Sequence, residues 1–312
     1  MKLKNNIVIA AIALSMTACS SDNEPTANTD GKEYPISLSV GIGDLSVVTR
    51  STSTFSPDGG SMGFFILGNG SKTGSDLKYF CNNQKVTCSN GQWSFPDGET
   101  RYWSSDNAKI SYIAYYPYST SADSTGIEWN AYNDGYNANP VTADQYDLLW
   151  ERNPAAANSD DHSLNITLAH ACSKLTVNVT RLGSEITQGA QIDKIFIKGM
   201  KNKGTFNFTG DNAGTWTFSQ EYIPTPYPMK SITHDNQLFA KYEAILIPQE
   251  AVMILEPQIL NGAAYQLTIP SQKYEMGTHY TITIQVGQDQ VNFGSITQTP
   301  WEDVSGGGLI AE

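Results

Sequence analysis

The most definite chemistry in this chain lies near its N-terminus, at a single thiol. Residues 14–19 read Leu-Ser-Met-Thr-Ala-Cys, so small residues precede Cys19. Two lysines and then the apolar run 7–14 have the layout of a secretory signal, and the run is too short to span a bilayer. In bacterial lipoproteins such a cysteine is acylated and becomes the new N-terminus. We therefore predict a lipoprotein signal at residues 1–18 and a lipid anchor on Cys19; the alternative is an ordinary signal with an incidental cysteine.

Two other stretches contain residue types that catalyse reactions. Residues 59–63 match the G-x-S-x-G pattern of serine hydrolases, but that pattern needs a strand before Ser61 and a helix after it. Here a turn-like segment precedes the serine and an apolar, strand-like run follows. Asp160, Asp161 and His162 stand in a polar stretch without further ligands. Because phosphate-binding, dinucleotide-binding and calcium-binding motifs are missing too, we expect no enzyme, no cofactor and no metal.

Export leaves three cysteines besides the lipidated one. Cys81 and Cys88 are separated by six residues, a spacing that a short hairpin could bring within bridging distance in an oxidising compartment. The sequence leaves both a disulfide and two free thiols open. Cys172 precedes an alternating segment and is expected to be a small buried residue.

The composition limits the classes of partner. The full chain has a formal net charge of −12 at pH 7 and no basic cluster. Nucleic-acid affinity depends on such clusters, so a nucleic-acid partner is excluded. The polar residues 19–34 lack apolar periodicity and are expected to be a tether between the lipid and the folded body.

Beyond the tether, apolar residues alternate with polar ones at a period of two. Such alternation predicts half-buried β-strands, with turn signals between them and no strong helical pattern. The chain also has 26 glycines and 16 tyrosines. We predict an all-β fold of antiparallel sandwiches, divided at the polar stretch 152–161 into domains at 35–162 and 163–312. The alternating runs are Ile36/Leu38/Val40/Ile42, Leu175/Val177/Val179, Ile195/Ile197, Phe206/Phe208, Leu267/Ile269 and Ile282/Ile284/Val286.

The order and spacing of several aromatic and apolar segments resemble the fimbrillin family of Bacteroides-type bacteria. They are Trp93, Tyr102-Trp103, residues 110–117 (ISYIAYYP), residues 168–179 (LAHACSKLTVNV), residues 245–249 (ILIPQ), residues 277–284 (GTHYTITI) and Pro300-Trp301. The family implies two tandem transthyretin-like domains, export as an outer-membrane lipoprotein and a place in an adhesive surface filament. It further implies polymerisation with other fimbrillin subunits by strand exchange.

In this family an arginine-specific protease cuts after an arginine that follows the first strand. Arg50, with Ser51 after it, stands at the matching place, and Ile36, Leu38, Val40 and Ile42 would be the exchangeable strand. The alternative is a loop arginine that nothing cuts. The resemblance leaves the choice between a stalk, tip or anchor subunit open.

Three further interpretations remain at this stage. A monomeric glycan-binding lipoprotein is one, since some of the six tryptophans could form a sugar-stacking platform, and a hydrolase acting through Ser61 is another. Asp123-Ser124-Thr125 resembles the sequence at which Bacteroides-type bacteria O-glycosylate exported proteins, with Ser124 as acceptor.

Overall fold

The computed structural model describes residues 32–43, 53–54, 57–68, 74–132, 147–158, 160–183, 192–220, 224–232, 238–259, 264–287 and 290–301. Over these residues the chain forms strands and one short 3-10 helix, Gly74–Tyr79. This confirms the all-β prediction, and the alternating runs lie in or next to strands. No helix in the described ranges has the length and apolar character needed to cross a membrane.

Eleven strands lie before residue 171. They are β1 (Tyr34–Pro35), β2 (Ser37–Ile42), β3 (Ser53–Thr54), β4 (Ser61–Leu67), β5 (Cys81–Ser89), β6 (Gln92–Ser94), β7 (Tyr102–Trp103), β8 (Lys109–Tyr116), β9 (Gly126–Asn130), β10 (Leu149–Ala157) and β11 (Ser163–His170).

Eleven more strands follow. They are β12 (Ser173–Arg181), β13 (Ile192–Lys198), β14 (Lys203–Asn207), β15 (Trp216–Thr217), β16 (Tyr227–Pro228), β17 (Lys230–Ser231), β18 (Ala240–Leu246), β19 (Glu250–Ile259), β20 (Leu267–Lys273), β21 (Thr278–Val286) and β22 (Val291–Pro300).

The N-terminal strands form a sheet that closes on itself. Its order is β11-β10-β8-β4-β5-β6-β2-β3, and β2 also pairs with β11. Side chains alternate across each strand, so one face of this ring turns inward. The inward residues form the first core, which includes Met62, Phe64, Val86, Tyr112 and Leu164.

The position of β10 and β11 differs from the sequence expectation. Residues 152–157, which we expected to be linker, continue β10, and β11, expected to begin the second domain, pairs with β10 and β2. Four of the nine β10 residues are exposed and only two are buried, so the strand lacks clear alternation and is defined by its backbone pairing with β8. The division at residue 162 stays a prediction, but Leu164, Ile166 and Leu168 lie in the first core.

The C-terminal strands form two facing sheets. One has the order β17-β18-β12-β21-β22 and the other β16-β13-β19-β20. Apolar residues from both, among them Val177, Ile195, Leu255 and Ile282, form the second core. The expectation of wholly antiparallel sheets is wrong at two places, because β2 runs parallel to β11 and β12 runs parallel to β21.

A third core joins the two parts of the chain. β9 from the N-terminal part pairs with β14, which pairs with β15. This small sheet buries Ile127 and Phe206 with residues of the outer face of the closed sheet, such as Phe65 and Tyr115. Residues on both sides of position 171 therefore share one apolar cluster.

Of the two alternatives left open for Cys81 and Cys88, a disulfide or two free thiols, the structure has the free thiols. Both residues lie in β5, at opposite ends of one extended strand. Seven residues of strand separate their Cα atoms by about 23 Å, far beyond what a disulfide spans. The hairpin turn comes after Cys88, not between the two cysteines. Cys172 is buried in the third core, as expected.

Candidate functional site

The N-terminal strand β2 has partners along both of its edges. It runs parallel to β11 from Ser37 opposite Ser163 to Ile42 opposite Leu168. On its other edge it pairs with β6 and β3. The N–H of Gly43 continues the ladder by donating to the carbonyl of Leu168 (2.9 Å). The strand therefore lies inside the closed sheet and not at an unpaired margin.

The four alternating side chains predicted to be exchangeable all face the first core. Ile36 and Val40 are each 5% exposed, while Leu38 and Ile42 are half-buried against the same cluster. The serines between them, Ser37 and Ser39, are exposed. Because the period is two, one face of this segment supplies the apolar contacts and the other meets solvent.

Hydrogen bonds fix the start of the strand. β1 pairs with β7, with Tyr34 opposite Trp103. The N–H of Ile36 donates to the carbonyl of Arg101 (2.8 Å). The carbonyl of His162 accepts from the indole N–H of Trp103 (3.1 Å), and the His162 ring lies edge-on to Tyr34, 5.0 Å away.

Charged residues that the sequence analysis did not single out surround this start. Lys78 Nζ lies 3.1 Å from a carboxylate oxygen of Glu33, a residue just before β1. This hydrogen bond raises the pKa of Lys78. The same ammonium lies 5.2 Å and 5.6 Å from the ring centres of Tyr79 and Tyr102. No local sequence pattern indicates this cluster, because Lys78, Tyr79 and Tyr102 lie 45 or more positions after Glu33 in the chain.

The residues predicted for lipidation and processing, Cys19, Arg50 and Ser51, lie outside the described residues. Ser124, the predicted glycosylation acceptor, is half-exposed in a turn beside β9. The Asp123 carboxylate accepts hydrogen bonds from the hydroxyl and N–H of Thr125, and these lower the pKa of Asp123. Glycosylation of Ser124 stays a prediction.

The catalytic-looking patterns lack the setting that catalysis needs. Ser61 is the first residue of β4, so a strand and not a helix follows it. Asp160, Asp161 and His162 form the turn between β10 and β11. Within the described ranges, no group of three or more histidine, cysteine, aspartate or glutamate side chains could hold a metal ion.

The tryptophans are mostly structural. Trp93, Trp103 and Trp301 are at most 7% exposed and face the cores. Trp129, Trp150 and Trp216 are half-buried at the rim of the third core. Two of these, Trp150 and Trp216, pack on Phe206 at ring-centre distances of 4.8 Å and 5.1 Å. Half of the tryptophans therefore have no ring face to offer a sugar.

Solved structures share this arrangement of sheets. A Bacteroides ovatus protein provisionally described as a cell adhesion protein matches with a TM-score of 0.62 and 17% identity, covering 87% of this chain and 100% of its own. A similarly described Bacteroides uniformis protein matches with a TM-score of 0.59 and 20% identity, covering 86% of this chain and 99% of its own. A fimbrial protein from Bacteroides vulgatus matches with a TM-score of 0.52 and 14% identity, covering 87% of this chain and 100% of its own. The fold is thus one found among bacterial proteins described as fimbrial or cell-adhesion proteins.

The sequence itself identifies the family. The fimbrillin-like family model matches residues 49–301, and the chain belongs to that family. A relative from Bacteroides uniformis, provisionally named fimbrium subunit Fim1C, is 24% identical over 320 residues, covering 98% of each chain. The chain is therefore a protein of the fimbrillin-like family, a family of fimbrial proteins and not of enzymes.

Proposed function

We propose that this protein is a fimbrial subunit, exported as an outer-membrane lipoprotein and assembled with other fimbrillin subunits by strand exchange into adhesive filaments. In this proposal Cys19 carries the lipid and the chain is cut between Arg50 and Ser51. The removed segment contains β1 and β2, and a strand from another subunit fills the gap. The position of β2, paired on both edges with its apolar face in the first core, is the observation that supports the proposal.

The energetics favour replacement of the strand over its simple loss. Full burial of one large aliphatic side chain contributes about 1.5 to 3 kcal/mol. Two such residues, Ile36 and Val40, are nearly fully buried, and Leu38 and Ile42 add a part. Since whole domains have only about 5 to 15 kcal/mol of net stability, a subunit without β2 would be marginal. An incoming strand would restore both the ladder and the core.

The test is proteolysis of the lipidated full-length chain with an arginine-specific protease. We expect a new N-terminus at Ser51 and a ladder of oligomers on gels run without boiling. Arg50→Gln should abolish both the cut and the ladder. Arg152→Gln is the matched control, because Arg152 lies in a paired strand that a protease cannot enter. A ladder from uncut Arg50→Gln protein, or a cut chain that stays monomeric, would refute the proposal.

A second test determines the N-terminus of the protein recovered from cells. Protein sheared from the bacterial surface should begin at Ser51, whereas protein extracted from the outer membrane before processing should carry the lipid on Cys19. Surface protein that still begins at Cys19 and is monomeric would instead match the rival interpretation, a glycan-binding lipoprotein that keeps its first strand.

A further inference from the structure

We propose that a cleft beside the start of β1 binds a carboxylated sugar, a uronic or sialic acid, through Lys78 and Arg101. This inference rests on the proposed adhesive function and adds the class of ligand. The cleft has a volume of about 300 Å³ and is lined by Leu77, Lys78, Gly98, Thr100, Arg101 and Tyr102. That volume is at the small end of ligand sites and suits one sugar ring.

Arg101 is the better fixed of the two cations. Its side chain is 15% exposed, and its guanidinium donates to the Glu99 carbonyl (2.5 Å) and the Gln84 side-chain oxygen (2.9 Å). Its Nε is buried and has no hydrogen-bond partner among the described residues. A buried donor without an acceptor is unfavourable, and a carboxylate is the acceptor that a guanidinium prefers. The guanidinium also interacts with the Cys81 thiol. A carboxylate bound in the cleft that Arg101 lines would therefore meet a cation whose hydrogen-bonding capacity is not filled.

Lys78 supplies the second charge, and the tyrosines around it add an apolar surface. The contacts of its ammonium with the rings of Tyr79 and Tyr102 hold the side chain near the cleft. Tyr102 is half-buried, and Leu77 is 55% exposed. A ring with C–H faces and a carboxylate can use both the apolar and the charged parts, whereas a bare inorganic anion uses only the charges.

The charge of the rest of the molecule makes this cleft selective. The chain carries 31 acidic residues against 19 basic ones, so an anion is repelled by most of the surface. Two glutamates near the cleft compete with a ligand: Glu33 beside Lys78, and Glu99, 3.8 Å from the Arg101 guanidinium. Both carboxylates are at least half-exposed and can turn into water.

The proposed cleavage would remove one of the two competing glutamates and keep the other. Glu33 belongs to the segment that a cut after Arg50 removes, whereas Glu99 stays. Processing would therefore free Lys78 from its carboxylate and strengthen the binding of an anionic sugar. Maturation and ligand binding would be coupled through this one ion pair.

The experiment titrates the full-length chain, labelled with ¹⁵N, with glucuronic acid and with glucose. These sugars differ at the carboxylate, and the N–H resonance of Arg101 Nε reports on the environment of the Arg101 side chain. We expect that resonance to move with glucuronic acid and not with glucose. Lys78→Gln and Arg101→Gln should each weaken binding about tenfold, the value of one charge-assisted hydrogen bond. Glu33→Gln should tighten binding, and Lys109→Gln, an exposed lysine on β8, should leave it unchanged.

Several results would overturn the inference. An equal response to glucose would remove the role of the cations, and an equal response to acetate or phosphate would show a general anion site. Unchanged affinity in Lys78→Gln would exclude a role for this lysine. Because Lys78 lies on the surface, that variant still tests the inference if Arg101→Gln does not fold. If the wild-type chain forms oligomer ladders but does not bind glucuronic acid, only the sugar site is rejected. If it binds glucuronic acid but forms no ladders, only strand exchange is rejected.

Discussion

Tyr115 occupies the space that a side chain at position 63 would need. A Cβ added to Gly63 would lie 2.0 Å from Cε1 of the Tyr115 ring and 2.5 Å from its hydroxyl oxygen. The ring cannot move away easily, because it is fully buried and its hydroxyl bonds to Asn83 (2.7 Å) and to the carbonyl of Ser119 (2.8 Å). Burial also raises the pKa of Tyr115 to about 12.

We therefore expect Gly63→Ala to lower the free energy of unfolding by about 1 to 3 kcal/mol through overpacking. Urea denaturation would measure the change. In a Tyr115→Leu background the ring is gone, so the same Gly63→Ala change should cost less than in the wild-type chain. Equal costs in the two backgrounds would show that the ring is not the cause.

His279 gives a prediction about pH. Burial and then the charge of Lys174 lower its pKa below the usual 6.5, while Glu243 acts in the opposite sense. The unfolded chain therefore binds the proton more readily than the native one between the lowered pKa and 6.5. Stability contributed by neutral His279 is present above 6.5 and is lost as the pH falls through that window.

An NMR titration of the His279 ring should give a midpoint below 6.5. Lys174→Gln should move that midpoint upward, since it removes a cation and leaves Glu243 without its ion-pair partner. Lys109→Gln, in the other part of the chain, should not move it. A midpoint that is unchanged in Lys174→Gln would contradict the assigned cause.

At the scale of the strand, the two faces of β2 should respond in opposite ways to substitution. Val40 is 5% exposed in the first core, while its neighbour Ser39 points to solvent. Val40→Ala should destabilise the chain by roughly 1 to 3 kcal/mol, because it removes buried methyl groups from a packed site. Ser39→Ala should stay within about 0.5 kcal/mol of wild type. Thermal denaturation of both variants measures the two effects. If Ser39→Ala destabilised the chain more than Val40→Ala, the assigned register of β2 would be wrong.

The strand β5 makes a prediction about thiols. With Cys81 and Cys88 at its two ends, a reducing agent has no bond to break. The melting temperature should be the same with and without reductant. Burial raises the pKa of Cys81 to about 12, so its alkylation at neutral pH should be slow until the protein unfolds. Mass spectrometry that found the Cys81–Cys88 bridge in the native protein would contradict the structure.

Local periodicity explains which elements could be predicted from sequence. In β2, β12 and β21 one face is buried, and the period of two is therefore visible in the residues. In β10 the burial is irregular, so the sequence of residues 152–157 predicts a linker instead of a strand. The parallel pairing of β2 with β11 joins residues over 120 positions apart, and nothing local encodes it. The cleft at Lys78 and Arg101 could not be predicted for the same reason.

At the scale of the molecule, the third core should couple the unfolding of the two parts of the chain. Phe206 of β14 packs against Trp150 of β10 and shares a cluster with Ile127 of β9. Phe206→Ala should cost about 3 to 5 kcal/mol and lower the transition of both parts together. Thr217→Ala, exposed on β15, is the control and should change little. Calorimetry that separates two transitions in the wild type would show independent units instead.

The closed ring of the first sheet also determines the direction in which a strand can replace β2. If β2 leaves, the slot between β6 and β11 has two edges, and a guest strand that restores the native ladders must run parallel to β11 and antiparallel to β6. A guest inserted backwards would have to form a different hydrogen-bond pattern on each edge. Each added subunit would then face the same way as the last, so the fibre would be vectorial, with two unlike tips and growth without closure.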